Sequence, residues 1–343
     1  MVHRVTELLG DGIGPELCEA VHHVAEALPT EVRFEQVDLS LEERKRRGRG
    51  VYDEAYESVR SAGAAIKYPT VTEIESPNAV LRKRCNFTVI HRPVMTLPGV
   101  KSNFTGKVDL EIVRLAIGGT YQDPGQQVGP DVAVSLRIVE RSTVQSAAVY
   151  AFALARRLGT HVTSSSKWTI QRATDGLFEE AVRDVAKRYP DVPHRQELFD
   201  ALLAKICMRP DDFRVIILLN EYGDFLSDMA SGLVGSLGIA ASGSFSFTTD
   251  GRVDLAMFDA AHGTAPDIAG KGVANPTAIL LAFAQLLSHV GETAIGQALR
   301  RTILGQLAAG RSTRDLGGTL TTMEFTREVR GAFLDRIRAV ATA

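Results

Sequence analysis

The sequence is poor in the features that mark secreted, membrane-spanning and zinc-binding proteins. Its 343 residues include only three cysteines, which are scattered and form no CxxC pair, so we predict neither a disulfide framework nor a zinc site. No apolar run approaches the roughly 20 residues that span a bilayer. The N-terminus has no basic segment followed by an apolar core, so we predict no signal peptide and a cytoplasmic location.

An excess of either charge is also missing. The chain carries 39 basic and 41 acidic residues, for a formal net charge of −2. This balance argues against nucleic acid or a membrane surface as a partner, because both attract a basic face. A hydrophobic share of 45% is that of a soluble globular protein, and the chain is long enough for two lobes.

Strand and helix patterns alternate along the chain, which predicts an α/β fold. Residues 5–9 have a strand pattern followed by a glycine turn and a helix pattern, and residues 215–219 (VIILL) have the continuous apolar character of a buried strand. Residues 117–139 differ, because they are rich in Gly and Gln and end in an alternating pattern. We interpret this segment as an antiparallel arm.

The glycine turn GDGIGP (10–15) resembles the GxGxxG fingerprint of Rossmann folds. Pro15 occupies the third glycine position, where the close approach of helix and strand requires glycine. The match is therefore partial, and a Rossmann hydroxyacid dehydrogenase is a disfavoured alternative.

Two acids follow the buried strand, in NEYGDFLSD (220–228). Asp224 and Asp228 are four residues apart, so on a helix they share a face, with Cβ atoms about 5–6 Å apart. A divalent cation would turn their repulsion into attraction, and oxygen-only ligands suit Mg²⁺ or Mn²⁺. A structural role is the alternative, because acids are also favoured at helix starts. These nine residues alone leave both interpretations open.

Five segments, in this order and spacing, resemble the β-decarboxylating dehydrogenases: isocitrate, homoisocitrate and 3-isopropylmalate dehydrogenases. The segments are GDGIGPE (10–16), SPNAVLRK with HRP (76–93), TDGLF (174–178), NEYGDFLSD (220–228) and HGTAPDIAGKGVANP (262–276). The resemblance implies an α/β, two-lobed, non-Rossmann fold with mixed sheets flanked by helices and a dimer arm. It implies a large cofactor-binding domain from residues 1–98 and 253–343, and a small domain from residues 99–252 with the arm and the metal site.

The same resemblance assigns metal ligands and proton carriers. Asp224 and Asp228 would bind Mg²⁺ or Mn²⁺ together with Asp200 of a neighbouring copy. Lys167, also from the neighbour, would help to remove the proton of the substrate hydroxyl, and Tyr121 would help to return a proton to carbon. These assignments imply a homodimer with shared active sites.

Five residues are implied for the substrate: Ser76, Asn78, Arg82, Arg92 and Arg114. Guanidinium groups bind carboxylates bidentately, so three of them suit a polycarboxylate. Isopropylmalate enzymes carry an apolar stretch where this chain has Ser76-Pro77-Asn78, whose polar groups can hydrogen-bond a charged distal group. We therefore predict isocitrate or a close analogue, with homoisocitrate and isopropylmalate as alternatives. Ser76 also has the pattern of a helix N-cap.

The resemblance places the cofactor at one loop. Its residues are His262, Gly263, Thr264, Ala265, Asp267, Ile268 and Asn275. NADP-dependent members commonly carry Lys-Tyr where this chain has Asp267-Ile268. A carboxylate accepts hydrogen bonds from a ribose 2′-hydroxyl and repels a 2′-phosphate, so we predict NAD.

Three departures from the family pattern lie around the substrate. The family's RENTEGEY is RLAIGGTY here (114–121), its KAN is Lys167-Trp168-Thr169, and KYPTVTEIE (67–75) lacks the glycine of KGP. An analogue with another distal anion, such as the phosphono-carboxylate phosphonomethyl malate, is therefore an alternative substrate. A non-catalytic regulatory subunit is a further alternative, which the retained acids, Lys167 and Tyr121 disfavour.

Overall fold

Strands and helices alternate along most of the chain, of which the computed structural model describes residues 2–73, 75–102, 104 and 107–341. The strands are β1 (Val2–Leu9), β2 (Glu31–Asp38), β3 (Ala64–Lys67), β4 (Val89–Met95), β5 (Asp109–Leu115), β6 (Gln126–Val128), β7 (Val132–Val134), β8 (Val162–Ser166), β9 (His194–Leu198), β10 (Val215–Leu218), β11 (Ala241–Phe247) and β12 (Val253–Ala260). The helices are α1 (Gly14–Ala25), α2 (Leu41–Arg47), α3 (Gly50–Ala62), α4 (Pro77–Arg84), α5 (Arg141–Leu158), α6 (Thr174–Ala186), α7 (Phe199–Met208), α8 (Asn220–Val234), α9 (Thr277–His289), α10 (Thr293–Ala308) and α11 (Thr322–Ala341).

Ten of these strands form one mixed sheet, in the order β2-β1-β3-β12-β11-β4-β5-β10-β8-β9. The first four are parallel to one another, and so are the last four, while β11 and β4 pair antiparallel with their neighbours between the two sets. An all-parallel Rossmann sheet has no such antiparallel centre. The predicted α/β, non-Rossmann fold is thereby confirmed, whereas the domain division at residues 98 and 252 stays a prediction.

The buried strand predicted at residues 215–219 is β10, all four of whose residues are buried. It lies between β5 and β8, so both of its edges are paired. Helix α5 packs against it with small and aromatic side chains such as Ala148 and Phe152, both fully buried. Each fully buried Ile, Leu or Phe in this core contributes about 1.5–3 kcal/mol relative to an exposed side chain.

The predicted arm is an antiparallel hairpin of β6 and β7 that stands outside the main sheet. Its apolar side chains are exposed, with 53% exposure at Val132 and 65% at Leu136. Among the residues that the structure describes, no helix has both the length and the apolar character to cross a membrane.

The glycine turn after β1 serves the packing of two other loops. A Cβ atom at Gly10 would lie 2.1 Å from the carbonyl oxygen of Pro69. Gly12 has a φ of +60°, and a Cβ atom there would lie 2.1 Å from the carbonyl oxygen of Thr264. Both positions therefore require glycine, and the turn holds the loop that includes Thr264 close to the sheet.

Candidate active site

A cleft of about 170 Å³ opens beside the central strands and is lined by charged and polar groups. They include Lys67, Asn78, Arg82, Arg92, Asp259 and His262. The sheet sets three of these charges near one another, because Lys67 on β3 is the register partner of Asp259 on β12, and Arg92 lies on β4, two strands further along. Three cationic side chains face one carboxylate in this cleft, so it suits an anionic ligand.

Lys67 is a site residue that sequence analysis did not single out. Its ammonium is buried and donates to the Tyr68 carbonyl oxygen at 2.9 Å and to Thr70 Oγ1 at 3.1 Å. Burial lowers the pKa of Lys67 to about 8, against the opposing effect of the Asp259 charge. The sequence did contain an indication, since a charged residue ends the otherwise apolar strand AAIK.

Helix α4 presents two of the predicted substrate residues to the cleft. Ser76 is its N-cap and accepts a hydrogen bond from the Ala79 backbone N–H at 3.4 Å, which accounts for this serine structurally. Asn78 and Arg82 lie one turn apart, and Asn78 Oδ1 and Arg82 Nε are buried without a hydrogen-bond partner among the described residues. Each such atom costs about 1–3 kcal/mol unless a ligand or water satisfies it.

Helix α8 brings Asp224 onto the same group of charges. A Cβ atom at Gly223 would lie 2.6 Å from Cβ of Arg114, so glycine permits this close approach of helix and strand. Arg114 forms an ion pair with Asp224, and Arg92 Nη1 lies 3.2 Å from Asp224 Oδ1. The Tyr121 hydroxyl donates to Asp224 Oδ2 at 3.2 Å. The structure therefore brings together an acid, two guanidinium groups and a phenol.

These contacts shift the pKa values of Asp224, Tyr121 and Arg114. Burial favours the neutral form of Asp224, yet the guanidinium groups of Arg114 and Arg92 outweigh it and lower the pKa. Burial and the Asp224 charge raise the pKa of Tyr121, which is therefore protonated at neutral pH. Burial, with Arg92 and Arg82 nearby, lowers the pKa of Arg114.

The donor set of Asp224 and Asp228 fits a hard divalent cation. The two acids lie one turn apart on α8, and Asp228 is 68% exposed, with Oδ1 3.8 Å from Arg92 Nη1. Both acids offer carboxylate oxygens, which Mg²⁺ and Mn²⁺ prefer. In the chain alone Arg92 and Arg114 supply the positive charge that Asp224 requires. A cation at the two acids would take over that task and leave the guanidinium groups to a carboxylate ligand.

Lys167 and Asp200 lie together, apart from this group. Lys167 Nζ donates to Asp200 Oδ1 at 2.6 Å, and the two residues follow the neighbouring parallel strands β8 and β9. Within the described part of the chain, neither forms a hydrogen bond or ion pair with Asp224, Asp228 or the arginines. Their assignment to the site of a neighbouring copy stays a prediction, and their joint placement is what that assignment requires.

Asp175, from the TDGLF segment, fixes the backbone of Lys167. Its buried carboxylate accepts from the Lys167 backbone N–H at 2.7 Å and from Arg137 Nη1 at 2.8 Å. Arg137 follows the arm hairpin, and its guanidinium also lies over the Tyr222 ring at 4.8 Å. The same acid thus connects the start of α6, the base of the arm and the backbone of Lys167.

The loop predicted for the cofactor follows β12. His262 Nδ1 lies 3.1 Å from the Gly263 carbonyl oxygen, and its buried Nε2 has no partner among the described residues. Asn275 is buried and donates to Asp315 Oδ2 at 2.9 Å. Asp267 is exposed and forms no hydrogen bond or ion pair with any described residue, so its carboxylate is available to a ligand.

The backbone of this loop is unusual at Ala265, where φ is +38°. Gly263, Thr264 and Ile268 surround it, and the Thr264 carbonyl oxygen accepts from the Ile13 backbone N–H at 3.0 Å. The contact ties the loop to the glycine turn. The roles of these loop residues in cofactor binding stay a prediction.

The chain matches a known protein family over nearly its whole length. A family model described as isocitrate/isopropylmalate dehydrogenase matches residues 4–329. The chain belongs to this family. The predicted family and its enzyme class, the decarboxylating dehydrogenases, are thereby confirmed. The alternative of a Rossmann hydroxyacid dehydrogenase is excluded.

The similar members of this family include both isocitrate dehydrogenases and a 3-isopropylmalate dehydrogenase. The chain is 36% identical over 326 residues to catalytic subunit 5 of the mitochondrial NAD isocitrate dehydrogenase of Arabidopsis thaliana, covering 93% of this chain and 86% of that protein. It is 34% identical to the 3-isopropylmalate dehydrogenase of Archaeoglobus fulgidus, covering 95% and 98%. The crystal structure of isocitrate dehydrogenase from Methylococcus capsulatus superposes with a TM-score of 0.87 at 32% identity, covering 98% and 99%. The sequence identities to isocitrate and isopropylmalate dehydrogenases differ too little to indicate the substrate. The substrate is therefore inferred from the residues of the site.

Proposed function

We propose that the chain catalyses NAD-dependent oxidative decarboxylation of isocitrate, or a close analogue, to a 2-oxo acid. The observation that carries this proposal is the placement of Lys67, Arg82 and Arg92 in one cleft, with Arg92 and the buried Arg114 both paired to Asp224. A 2-hydroxy-3-carboxy acid would give a hydride to NAD⁺ and release CO₂, forming NADH and the 2-oxo acid. The hydroxyl loses one proton, and the carbon that loses CO₂ gains one, so the net reaction neither takes up nor releases a proton.

The residues of the chain would divide this work. Arg82, Arg92 and Arg114 bind and orient the carboxylates, because their planar forks match carboxylate geometry. Lys167 from a second copy takes the hydroxyl proton. Tyr121, whose pKa is raised by burial and by Asp224, carries a proton at neutral pH and supplies it to carbon.

A divalent cation, Mg²⁺ or Mn²⁺, would be held by Asp224 and Asp228, with Asp200 from the second copy. When bound, it supplies positive charge beside the substrate's hydroxyl and carboxylate. Asp224 already holds three donors, and each becomes free for the substrate or for proton transfer once the cation neutralises the acid.

The charge of the cleft favours a trianionic substrate such as isocitrate over the dianionic isopropylmalate. Lys67, Arg82 and Arg92 outnumber Asp259 as charged groups lining it. Asn78 adds an amide whose buried oxygen has no partner among the described residues, and its oxygen and nitrogen can exchange places by rotation to meet either an acceptor or a donor. An isopropyl group would leave that amide and the Arg82 Nε unsatisfied. Phosphonomethyl malate also presents a distal anion, so it remains the second candidate substrate.

A substrate panel tests the proposal. Isocitrate, homoisocitrate, 3-isopropylmalate and phosphonomethyl malate are each supplied with NAD and either Mg²⁺ or Mn²⁺, while NADH and CO₂ are followed. We expect isocitrate or the phosphonate to give the highest kcat/KM. A clear preference for isopropylmalate would refute the substrate assignment. Absence of turnover with every substrate would favour the regulatory-subunit alternative.

Lys67 makes substrate binding depend on pH. Its pKa of about 8 means that the ammonium loses its proton as the pH rises above that value. A polycarboxylate binds the protonated form, so the dissociation constant of a non-oxidisable tricarboxylate should rise by about tenfold per pH unit between pH ~8 and ~10. Isothermal titration without NAD measures it. Lys67→Gln serves as the control, and its weaker binding should lack this slope. A slope unchanged in that variant would show that another group titrates.

Asp267 supports NAD as the cofactor, since an exposed carboxylate repels a 2′-phosphate. We expect wild type to favour NAD over NADP in kcat/KM, and Asp267→Lys with Ile268→Tyr to narrow or invert that ratio by removing the repulsion. Asp254→Lys makes the same charge change at an exposed site at the start of β12 and should leave the ratio unchanged. Preference of wild type for NADP would contradict the assignment.

The exposed apolar arm supports a homodimer. Val128, Val132, Val134, Leu136 and Ile138 are 38–65% exposed in the single chain. Contiguous apolar side chains of this kind mark interaction surfaces. A second copy is the partner that the split placement of Lys167 and Asp224 requires. Light scattering of the purified protein should give twice the mass of the chain.

A further inference from the structure

A second cluster of ligand-type side chains lies behind the cleft wall, between β1 and α1. Glu7 belongs to β1 and is completely buried. Cys18 and His22 lie four residues apart on α1, so their side chains share the helix face that meets Glu7. Neither the proposed reaction nor the family comparison gives these residues a role.

The donor atoms converge closely. His22 Nε2 lies 2.9 Å from each carboxylate oxygen of Glu7, and Cys18 Sγ lies 3.5 Å from Glu7 Oε1. All three donor atoms fall within 4.8 Å of one another. Zinc bonds of about 2.0–2.3 Å in a tetrahedral site separate ligand atoms by about 3.3–3.7 Å. A shift of His22 by a few tenths of an ångström would therefore reach that spacing.

Surrounding groups hold the ligands in place. Gln36 Nε2 donates to Glu7 Oε2 and the Tyr68 hydroxyl donates to Glu7 Oε1, each at 2.8 Å. Phe34 stacks on the His22 ring with centroids 4.6 Å apart. Hydrogen bonds of this kind to a ligating carboxylate orient it toward a metal. The His22 side chain is 39% exposed, so the cluster can be reached from solvent.

We propose that Glu7, Cys18 and His22 form a binding site for a borderline divalent cation such as Zn²⁺. Thiolate, imidazole and carboxylate together suit such an ion, whereas the all-carboxylate site at Asp224 suits Mg²⁺ or Mn²⁺. Binding releases the Cys18 thiol proton and the proton shared by His22 and Glu7, and the two remaining anionic ligands neutralise the cation. Water entering beside His22 completes four ligands.

A zinc site at Cys18 departs from the sequence-based expectation that the scattered cysteines form none. That expectation rested on the missing CxxC pair, but CEAVH (18–22) places thiol and imidazole on one helix face. Its third ligand comes from a strand eleven residues earlier, so only the fold brings the three together. A buried ion pair between Glu7 and His22 is the competing explanation, and it gives Cys18 no function.

Cobalt titration tests the site. Chelator-treated protein receives Co²⁺, and the near-ultraviolet charge-transfer band of a cobalt–thiolate bond is followed, with displacement by Zn²⁺. The background is Asp224→Asn with Cys207→Ser, which removes the active-site ligand and an exposed thiol. We expect the band to saturate at one equivalent, to vanish in Cys18→Ser, and to require at least about tenfold more cobalt in His22→Gln.

Thermal unfolding supplies a second measurement that does not depend on activity. Zn²⁺ should raise the Tm of the background protein and leave that of Cys18→Ser unchanged, because only the folded cluster assembles the ligands. Absence of a band in the folded background protein, or its persistence in folded Cys18→Ser, would overturn the site. The cluster would then be a buried ion pair only.

Discussion

A mixture of Lys167→Met and Asp224→Asn chains should regain activity that neither variant shows alone. Lys167 pairs with Asp200, and neither contacts the group around Asp224, which agrees with the proposal that both serve the cleft of a second copy. In a heterodimer of the two variants, one cleft then receives both lesions and the other receives neither. If the two clefts work independently, the one intact cleft should give each heterodimer about half of the wild-type rate.

Purified heterodimers make this experiment decisive. Two different affinity tags separate them from the parental homodimers, which would dilute the recovered signal. A heterodimer of Lys167→Met with Asp200→Asn is the matched control, because both lesions belong to the same contributed pair and each cleft then keeps one defect. Tagged heterodimers that fold, assemble and stay inactive would show that Lys167 and Asp224 act within one chain.

Regular elements with strong periodic patterns could be predicted from the sequence. The apolar run VIILL predicted a buried strand and the alternating end of residues 117–139 predicted a hairpin, because continuous and alternating apolar patterns are local signals of strands. The order of the ten strands could not be derived this way. The antiparallel pairing of β11 with β4 joins residues about 150 positions apart, and only the family resemblance anticipated a mixed sheet.

The residues of the candidate site also fall into two groups, those that local spacing predicts and those that only strand pairing brings together. Asp224 and Asp228 share one helix, so their joint placement followed from a spacing of four. Lys67 and Asp259 were missed because they become neighbours through the parallel pairing of β3 and β12, which no local pattern encodes. The same holds for Arg92 and Arg114, which were expected to bind substrate and which also neutralise Asp224 in the chain alone.

Asp224→Asn should abolish turnover and also weaken the fold, whereas Asp228→Asn should affect turnover alone. Asp224 is the counter-charge for the buried groups of Arg92 and Arg114, so its neutralisation should cost about 1–3 kcal/mol of unfolding free energy. Asp228 is 68% exposed and should change stability by less than about 0.5 kcal/mol. Both should lose about 10²–10³-fold or more in kcat, since each removes a ligand of the proposed cation.

Chelator and pH separate the two effects of Asp224. Excess chelator should abolish wild-type turnover, and full activity under that condition would exclude the cation site. Denaturant unfolding in the presence of chelator then measures how much the ion pairs of Asp224 with Arg92 and Arg114 contribute to the unfolding free energy, without a bound cation. The pKa of Asp224 is lowered, so its contribution is present above the ordinary carboxyl pKa and disappears as the pH falls through the lowered one. The stability difference between wild type and Asp224→Asn should therefore persist at pH 5 and vanish on further acidification. Equal stability at pH 5 would show that the two arginines do not need this acid.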